Sequence, residues 1–382
     1  MLAATPPMGW NSWNMFGVTI DAAVVRQTAD AFVTSGLKEA GYQYIVIDDH
    51  WHGGRGTDGR LYPDPQKFPD GMKAVADYVH ALGLKFGIYS DAGPLTCGGR
   101  PASQDNEEID ARTFAEWGVD FLKYDWCHAE DTRANAEYRY STMSAALKAT
   151  GREILLSICE WGHHRPWLWG ARVGGQMWRT TGDIGDSWYN VIAGWGGILY
   201  GIDSIGFEQQ RGLEAYAGPG HWNDTDMLVV GLRGRSREIA GAGCTDSEYR
   251  THFSLWCLLA APLMIGCDVR SMDGDTKTIL TNREAIAIDQ DPLGQQGLRA
   301  SRNGLCEVWK KTLASGGLAV GLFNRGDKTR PLPAAWSDLE IKGRYQVRDL
   351  WAHSDLGTFD SAISAQVEPH GCSLLRLTPS SL

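Results

Sequence analysis

The chain has 382 residues, with 36 Lys and Arg against 46 Asp and Glu, a formal net charge of −10. At 43% apolar and 21% charged residues it is globular in composition, which excludes a disordered or fibrous chain. The acidic balance argues against a nucleic-acid or anionic-membrane partner, and no run of about 18 apolar residues offers a membrane span.

The N-terminal MLAATPPMGW has neither a basic start nor an apolar core, so no signal peptide is read there. The reading leans toward the mature form of an exported protein, with the cytoplasm left open. Residues 22–40 place Val25, Ala29, Phe32, Gly36 and Leu37 on one face behind Asp21 as N-cap, which predicts a single long helix. An apolar strand follows at 44–47, a helix at 70–82 and a strand at 85–89. Residues 113–117 belong to a helix, 121–124 to a strand and 134–150 to another helix; 154–158, 177–180 and 262–265 continue the strands. Repeated βα units with near-continuous apolar strands indicate a buried parallel sheet. About eight of them in under 300 residues predict a closed (β/α)8 TIM barrel, and no GxGxxG favours a dinucleotide fold. After Asp291-Pro292-Leu293-Gly294 the pattern changes: 304–314, 317–325, 341–350 and 371–378 read as strands between Gly, Asn and Asp turns. The predicted organisation is an α/β catalytic barrel over 1–293 and a C-terminal antiparallel β-sandwich over 294–382.

Acids gather where the strands end. Asp48 and Asp49 follow 44–47, Asp91 follows 85–89, Asp125 follows 121–124, Glu160 follows 154–158, and Asp183 lies beyond Arg179. One such acid caps a helix often enough; five in succession suggest a site on the C-terminal face of a barrel. Lys123 shares the direction of Asp125 because side chains alternate along a strand. Lys123, with Arg179 as a second cation, is expected to hold Asp125 ionised. Thirteen of 16 Trp precede residue 293, and Trp10, Trp51, Trp126, Trp161 and Trp178 lie close in sequence to these ends, suggesting aromatic walls for sugar rings. Paired carboxyls beside such walls suit cleavage of a glycosidic bond, one attacking and one supplying a proton.

The segments MGWNSWN (8–14), YIVIDDHW (44–51), GIYSDAG (87–93), FLKYDWC (121–127), CEWG (159–162), WRTTGDIGDSW (178–188), GPGHWNDTDML (218–228) and IDQDPLG (288–294) resemble glycoside hydrolase family 27. That is the family of α-galactosidases and α-N-acetylgalactosaminidases, and the resemblance runs the whole chain in order. It implies a retaining exo-glycosidase without metal or other cofactor. Asp125 matches the nucleophile and Asp183 the acid/base, with Asp186 as second choice. Asp48 and Asp49 match the pair that binds the galactose O4 and O6 hydroxyls, Lys123 a contact to O3 and O4, and Arg179 one near O2 and O3. Trp10 and Tyr89 match pocket walls, Cys159, Glu160 and Trp161 the wall beside O2, and Met227 the floor. Cys97 and Cys127 match a disulfide beside the nucleophile, while Cys159 lacks a partner and is expected to be a free thiol.

Glu160 with Trp161 is expected to fill the space an N-acetyl group would need, favouring a free 2-hydroxyl over the galactosaminidase reading. A β-L-arabinopyranosidase, which lacks the exocyclic carbon, is the nearest rival on the same fold. The implied partner is a galactose-containing oligosaccharide or glycan, and a sandwich packed on the barrel can mediate a homo-oligomer. Two readings of other classes compete: a metal-dependent barrel hydrolase using His50, His52, His128, His163 and His164 with Asp48 and Asp49, and a non-catalytic sugar-binding protein. The first lacks a compact ligand signature such as HExxH; the second predicts a missing catalytic acid, and both matching acids are present.

Overall fold

The computed structural model describes residues 1–194, 196–236 and 238–380; the last two residues of the expected sandwich lie outside them. Eight short strands carry the first part: β1 (Met8–Asn11), β2 (Tyr44–Val46), β3 (Lys85–Asp91), β4 (Phe121–Asp125), β5 (Leu155–Cys159), β6 (Met177–Arg179), β7 (Trp222–Asp224) and β8 (Leu263–Ile265). Neighbours in sequence pair in parallel from β1 to β7, and β8 pairs with β1. The ring closes just beyond β7, where Leu228 bridges Ile265 in parallel and its N–H donates to Met264 O at 2.7 Å. This is the expected (β/α)8 barrel. β7, only three residues long amid Gly, His, Asn and Asp, was not expected from the sequence.

The first helical stretch differs from its reading as one element. Asp21 caps α1 (Ala22–Ser35) by accepting from Val24 N, but Gly36 takes φ 91° and ends it, so Leu37–Ala40 forms a separate turn. Only glycine enters that left-handed region freely, and its periodic position concealed the break. The helices α2 (Gly71–Ala81), α3 (Glu107–Trp117) and α4 (Arg133–Ala149) fall where expected, within a few residues. None of the helices among the described residues is long and apolar enough to cross a membrane.

Among its described residues the C-terminal part holds eight strands: β9 (Leu298–Asn303), β10 (Cys306–Thr312), β11 (Leu318–Asn324), β12 (Arg330–Ala335), β13 (Tyr345–Asp349), β14 (Ser354–Phe359), β15 (Ala362–Val367) and β16 (Cys372–Pro379). Six form one antiparallel sheet in the order β9-β10-β11-β16-β13-β14, and β12 pairs with β15 opposite it. Alternation sets the two faces. Val308, Val320, Leu322 and Leu377 join the sandwich core with Leu332, Ala334 and Ile363. Trp309, Ala319, Phe323 and Leu374 turn the other way, into the barrel's core.

One buried cation bridges the two parts. Arg325 meets Asp203 at 2.7 Å, Glu208 at 2.6 Å and the fully buried Glu307 at 2.6 Å. Arg325→Ala leaves buried Glu307 to Arg299 at 3.1 Å and Arg302 at 3.6 Å and strips Asp203 of its partner, a loss of about 2 kcal/mol. Calorimetry should show the melting midpoint several degrees lower; an unchanged midpoint would mean the cluster makes no net contribution.

Candidate active site

Strand direction decides which side chains meet. At the end of β2, Asp48 and Asp49 are buried, and each is held by donors from neighbouring elements. Asp48 Oδ2 accepts from Asn11 Nδ2 at 2.8 Å and Lys123 Nζ at 2.7 Å. Asp49 accepts from His50 N at 2.6 Å and Gly98 N at 2.8 Å. On β4, Lys123 and Asp125 point together into the barrel mouth, and Tyr89 from β3 donates its hydroxyl to Asp125 Oδ2 at 3.0 Å. Arg179, at the end of β6, donates to Asp183 Oδ1 at 3.0 Å and meets Asp226 Oδ2 at 3.1 Å. Asp226 is fixed in turn by the N–H groups of Ile184 and Met227, both at 2.8 Å.

These groups line one cavity at the C-terminal ends of the strands: Asp48, Asp49, Tyr89, Cys97, Lys123, Asp125, Cys159, Trp161, Arg179, Asp183 and Met227, joined by Trp13, Asn14, Asp226 and Ile239. A smaller hollow shares Lys123, Arg179 and Asp226 and is also lined by Asn11 and Asp224 of the barrel interior. A larger groove on the sandwich, about 650 Å³, carries Arg302, Glu307, Asp327, Arg330 and Asp338 but has no aromatic side chain among its lining and lies away from the strand ends of the barrel.

The two expected catalytic acids occupy unlike surroundings. Asp125 is 5% exposed. Burial pushes its carboxyl up to about 6, with Lys123 acting against the rise and Asp183 adding to it. The Asp183 side chain is 46% exposed, at the opening where a leaving group would depart. Burial alone would lower the Lys123 ammonium, but Asp48 and then Cys159 and Asp125 hold it above its ordinary range. Arg179 likewise stays charged despite burial, chiefly through Asp226.

Several expectations need correction. Arg179 pairs with Asp183 and Asp226, so only Lys123 acts as the cation on Asp125. Trp10 does not line the cavity: Asn11 faces the barrel interior, so its neighbour faces outward, packing on Phe16 and donating to Cys267 O at 2.9 Å. Trp13, three residues on at the start of the helical turn Trp13–Phe16, is the lining residue. Glu160 also turns away, because Cys159 before it points in. Its Oε2 accepts from His164 N at 2.6 Å, bracing the turn that holds Trp161 at φ 56°, and burial pushes its carboxyl up to about 8. Trp51, Trp126 and Trp178 are core residues, so of the five expected tryptophans Trp161 alone lines the cavity, together with the expected Tyr89 and the unexpected Trp13. Asp186 is fully buried, accepting from Tyr249 OH at 2.8 Å and Gly234 N at 2.7 Å, which removes it as an acid/base. Asp226 escaped the sequence reading although it lies beside Met227; recognising β7 would have brought it forward with the other strand-end acids.

Cys97 and Cys127 form a disulfide and Cys159 is free. Among the described residues, the cluster of potential metal ligands is Asp91, Cys97, Asp125 and Cys127, which contains no histidine and whose sulfurs are bonded to each other. His52, a candidate ligand by sequence, is instead buried against Trp51 at 3.8 Å between ring centroids.

A (β/α)8 barrel with this acid-lined mouth and an appended sandwich defines a glycoside hydrolase. Residues 5–291 match the family model described as alpha galactosidase A, and 303–377 match the alpha galactosidase C-terminal beta sandwich domain. An α-galactosidase of Oryza sativa subsp. japonica is 47% identical over 99% of this chain and 86% of its own length. The crystal structure of α-galactosidase I from Mortierella vinacea superposes with a TM-score of 0.92 at 37% identity, covering 99% of this chain and 98% of that one. An α-galactosidase from Saccharomyces cerevisiae, solved with raffinose, gives a TM-score of 0.92 at 29% identity over 99% of this chain and 98% of its own. The chain belongs to the α-galactosidase family, glycoside hydrolase family 27.

Proposed function

We propose that this protein releases terminal α-D-galactose from oligosaccharides of the raffinose kind or from glycans, by double displacement with retention. The observation that carries this reading is one cavity holding a buried carboxyl, Asp125, and a half-exposed one, Asp183, with Lys123 beside the first. Asp125 attacks the anomeric carbon as its bond to the leaving oxygen breaks, and Asp183 gives that oxygen its proton. Asp183, now ionised, takes a proton from water, which attacks the same carbon and frees Asp125. Tyr89 steadies the Asp125 oxygen throughout, and Arg179 steadies Asp183.

Asp48 and Asp49 supply the acceptors for sugar hydroxyls. Lys123 and the backbone amides already satisfy part of their capacity, which fixes the carboxylates in place before substrate arrives. With Glu160 turned away, Trp161 and Cys159 carry the argument for a free 2-hydroxyl.

A panel of aryl glycosides tests the reading. The α-galactoside should exceed the β-L-arabinopyranoside by about tenfold or more in kcat/KM, and exceed the α-N-acetylgalactosaminide further. NMR of the reaction should show α-galactose appearing first. Preference for the arabinopyranoside would overturn the assigned sugar, and β-galactose as first product would overturn double displacement.

A further inference from the structure

Asp91 and Asp125 end adjacent strands in register, and the Cys97–Cys127 disulfide lies beside both. One ligand atom from each of these four side chains can be chosen so that all lie within 4.8 Å of one another. Both acids are buried; Lys123 pairs with Asp48 while also bearing on Asp125, and Arg179 pairs with Asp183 and Asp226. Asp91 accepts only backbone N–H groups, from Gly93 at 2.8 Å and Cys127 at 2.9 Å. The cluster therefore brings two carboxyl groups and two sulfurs together, with Lys123, shared with Asp48, as the cation that bears on it.

While the sulfurs are bonded to each other they offer no thiolate. We propose that reduction of Cys97–Cys127 converts these four side chains into a Zn(II) site of two thiolates and two carboxylates, which captures Asp125 and switches hydrolysis off. The inhibitory part rests on Asp125 being the nucleophile. A tetrahedral zinc with S and O ligands places its ligand atoms about 3.5 Å apart, so once the disulfide is broken the two sulfurs part while the carboxylate oxygens, within 4.8 Å of them, draw in by side-chain rotation. Thiolates select zinc over magnesium or calcium.

Cys97 is exposed, which gives a reductant access. A dithiol attacks its Sγ through a thiolate, the S–S bond breaks, and Cys127 leaves as a thiolate. The second thiol of the reductant then displaces Cys97 from the mixed disulfide. Two electrons have passed from the dithiol, which departs as a cyclic disulfide, to the two cysteines. Zinc takes both sulfurs as thiolates and releases their remaining protons to solvent.

Co(II) is the spectroscopic probe. The enzyme is reduced with a dithiol, freed of it without air, and titrated with Co(II) alongside the oxidised enzyme. The six other cysteines are thiols in both samples and serve as background. Reduced enzyme should gain a thiolate-to-cobalt charge-transfer band at one equivalent, bleached by one equivalent of Zn(II), and Cys97→Ser should lose it. Zinc should lower hydrolysis of an aryl α-galactoside at least tenfold in the reduced enzyme only, with recovery on chelation. Absence of the band while near-UV circular dichroism stays native would overturn the site, as would loss of that dichroism on reduction or persistence of the band in Cys97→Ser. A band with hydrolysis unchanged would keep the metal site, overturn the switch and count against Asp125 as nucleophile.

Discussion

Asp125→Ala is expected to lower kcat on an aryl α-galactoside by about 10³-fold or more, because no other group can form the covalent intermediate. The neighbouring carboxylates are engaged: Asp48 with Lys123, and Asp183 and Asp226 with Arg179. Truncation to alanine leaves a space on the sugar's far face that azide can enter. Added azide should restore part of the rate and yield β-galactosyl azide, the product of one inverting displacement. Near-normal turnover in the variant would remove Asp125 from the mechanism. Asp125→Asn separates stability from catalysis. In the folded protein burial holds this carboxyl at about 6 against the ordinary 3.8, so folding favours its protonated form. The stabilisation from that form is complete below the ordinary value and lost as pH rises through 6. At pH 7 the wild type carries an ionised acid in a buried place, a burden the isosteric amide lacks. The inactive Asn variant should therefore melt above wild type at pH 7, and the difference should vanish below about pH 4.

The barrel was legible because its strands are short apolar runs set between helices whose apolar faces repeat with the helical period. The sandwich was legible in outline through β10, β11, β13 and β16. Its edge and outer strands β9, β12 and β14 are polar or proline-containing, as Arg330-Pro331-Leu332-Pro333 shows, and β15 is a short run with only Ile363 and Val367 as large apolar residues. β7 was hidden for a similar reason, and Asp226 with it. Residues on the strands proper followed the alternation rule: Lys123 and Asp125 share a face, as expected. The misplacements of Trp10 and Glu160 are each a shift of one residue in the same alternation. Asn11 and Cys159 take the inward positions, leaving their neighbours to face away. Composition misled more thoroughly. Trp is abundant near the strand ends, but Trp51, Trp126 and Trp178 fill the layer between barrel and helices, where large flat side chains serve packing. The pairing of Arg179 with Asp183 and Asp226 depends on loops after β6 and β7, whose course no periodicity encodes.

Lys123→Met should move the acid side of the pH–rate profile upward and lower kcat/KM about 100-fold. Two effects combine. Among the charges acting on Asp125, Lys123 is the one that lowers its carboxyl, opposing burial, Asp183 and Asp48. Removing it leaves those three unopposed except for the Tyr89 hydrogen bond, so Asp125 binds its proton more tightly. A carboxyl at about 6 is mostly ionised at pH 7 and mostly protonated at pH 5. The wild-type kcat/KM should therefore fall below about pH 6, and in the variant the fall should begin about one unit higher. The second effect is on binding. Asp48 loses its 2.7 Å ammonium partner and is left buried with Asn11 Nδ2 and the Asp49 N–H as its donors, its carboxylate held less firmly toward the sugar. Breaking such a pair costs several kcal/mol, and the part felt in the complex should appear in KM. The two effects separate by measurement: the pH shift reports Asp125, whereas a pH-independent rise in KM reports Asp48. If the acid limb of Lys123→Met stays at the wild-type pH while KM rises, Lys123 serves Asp48 alone, and the ionisation of the nucleophile is governed by Tyr89 and by the substrate itself.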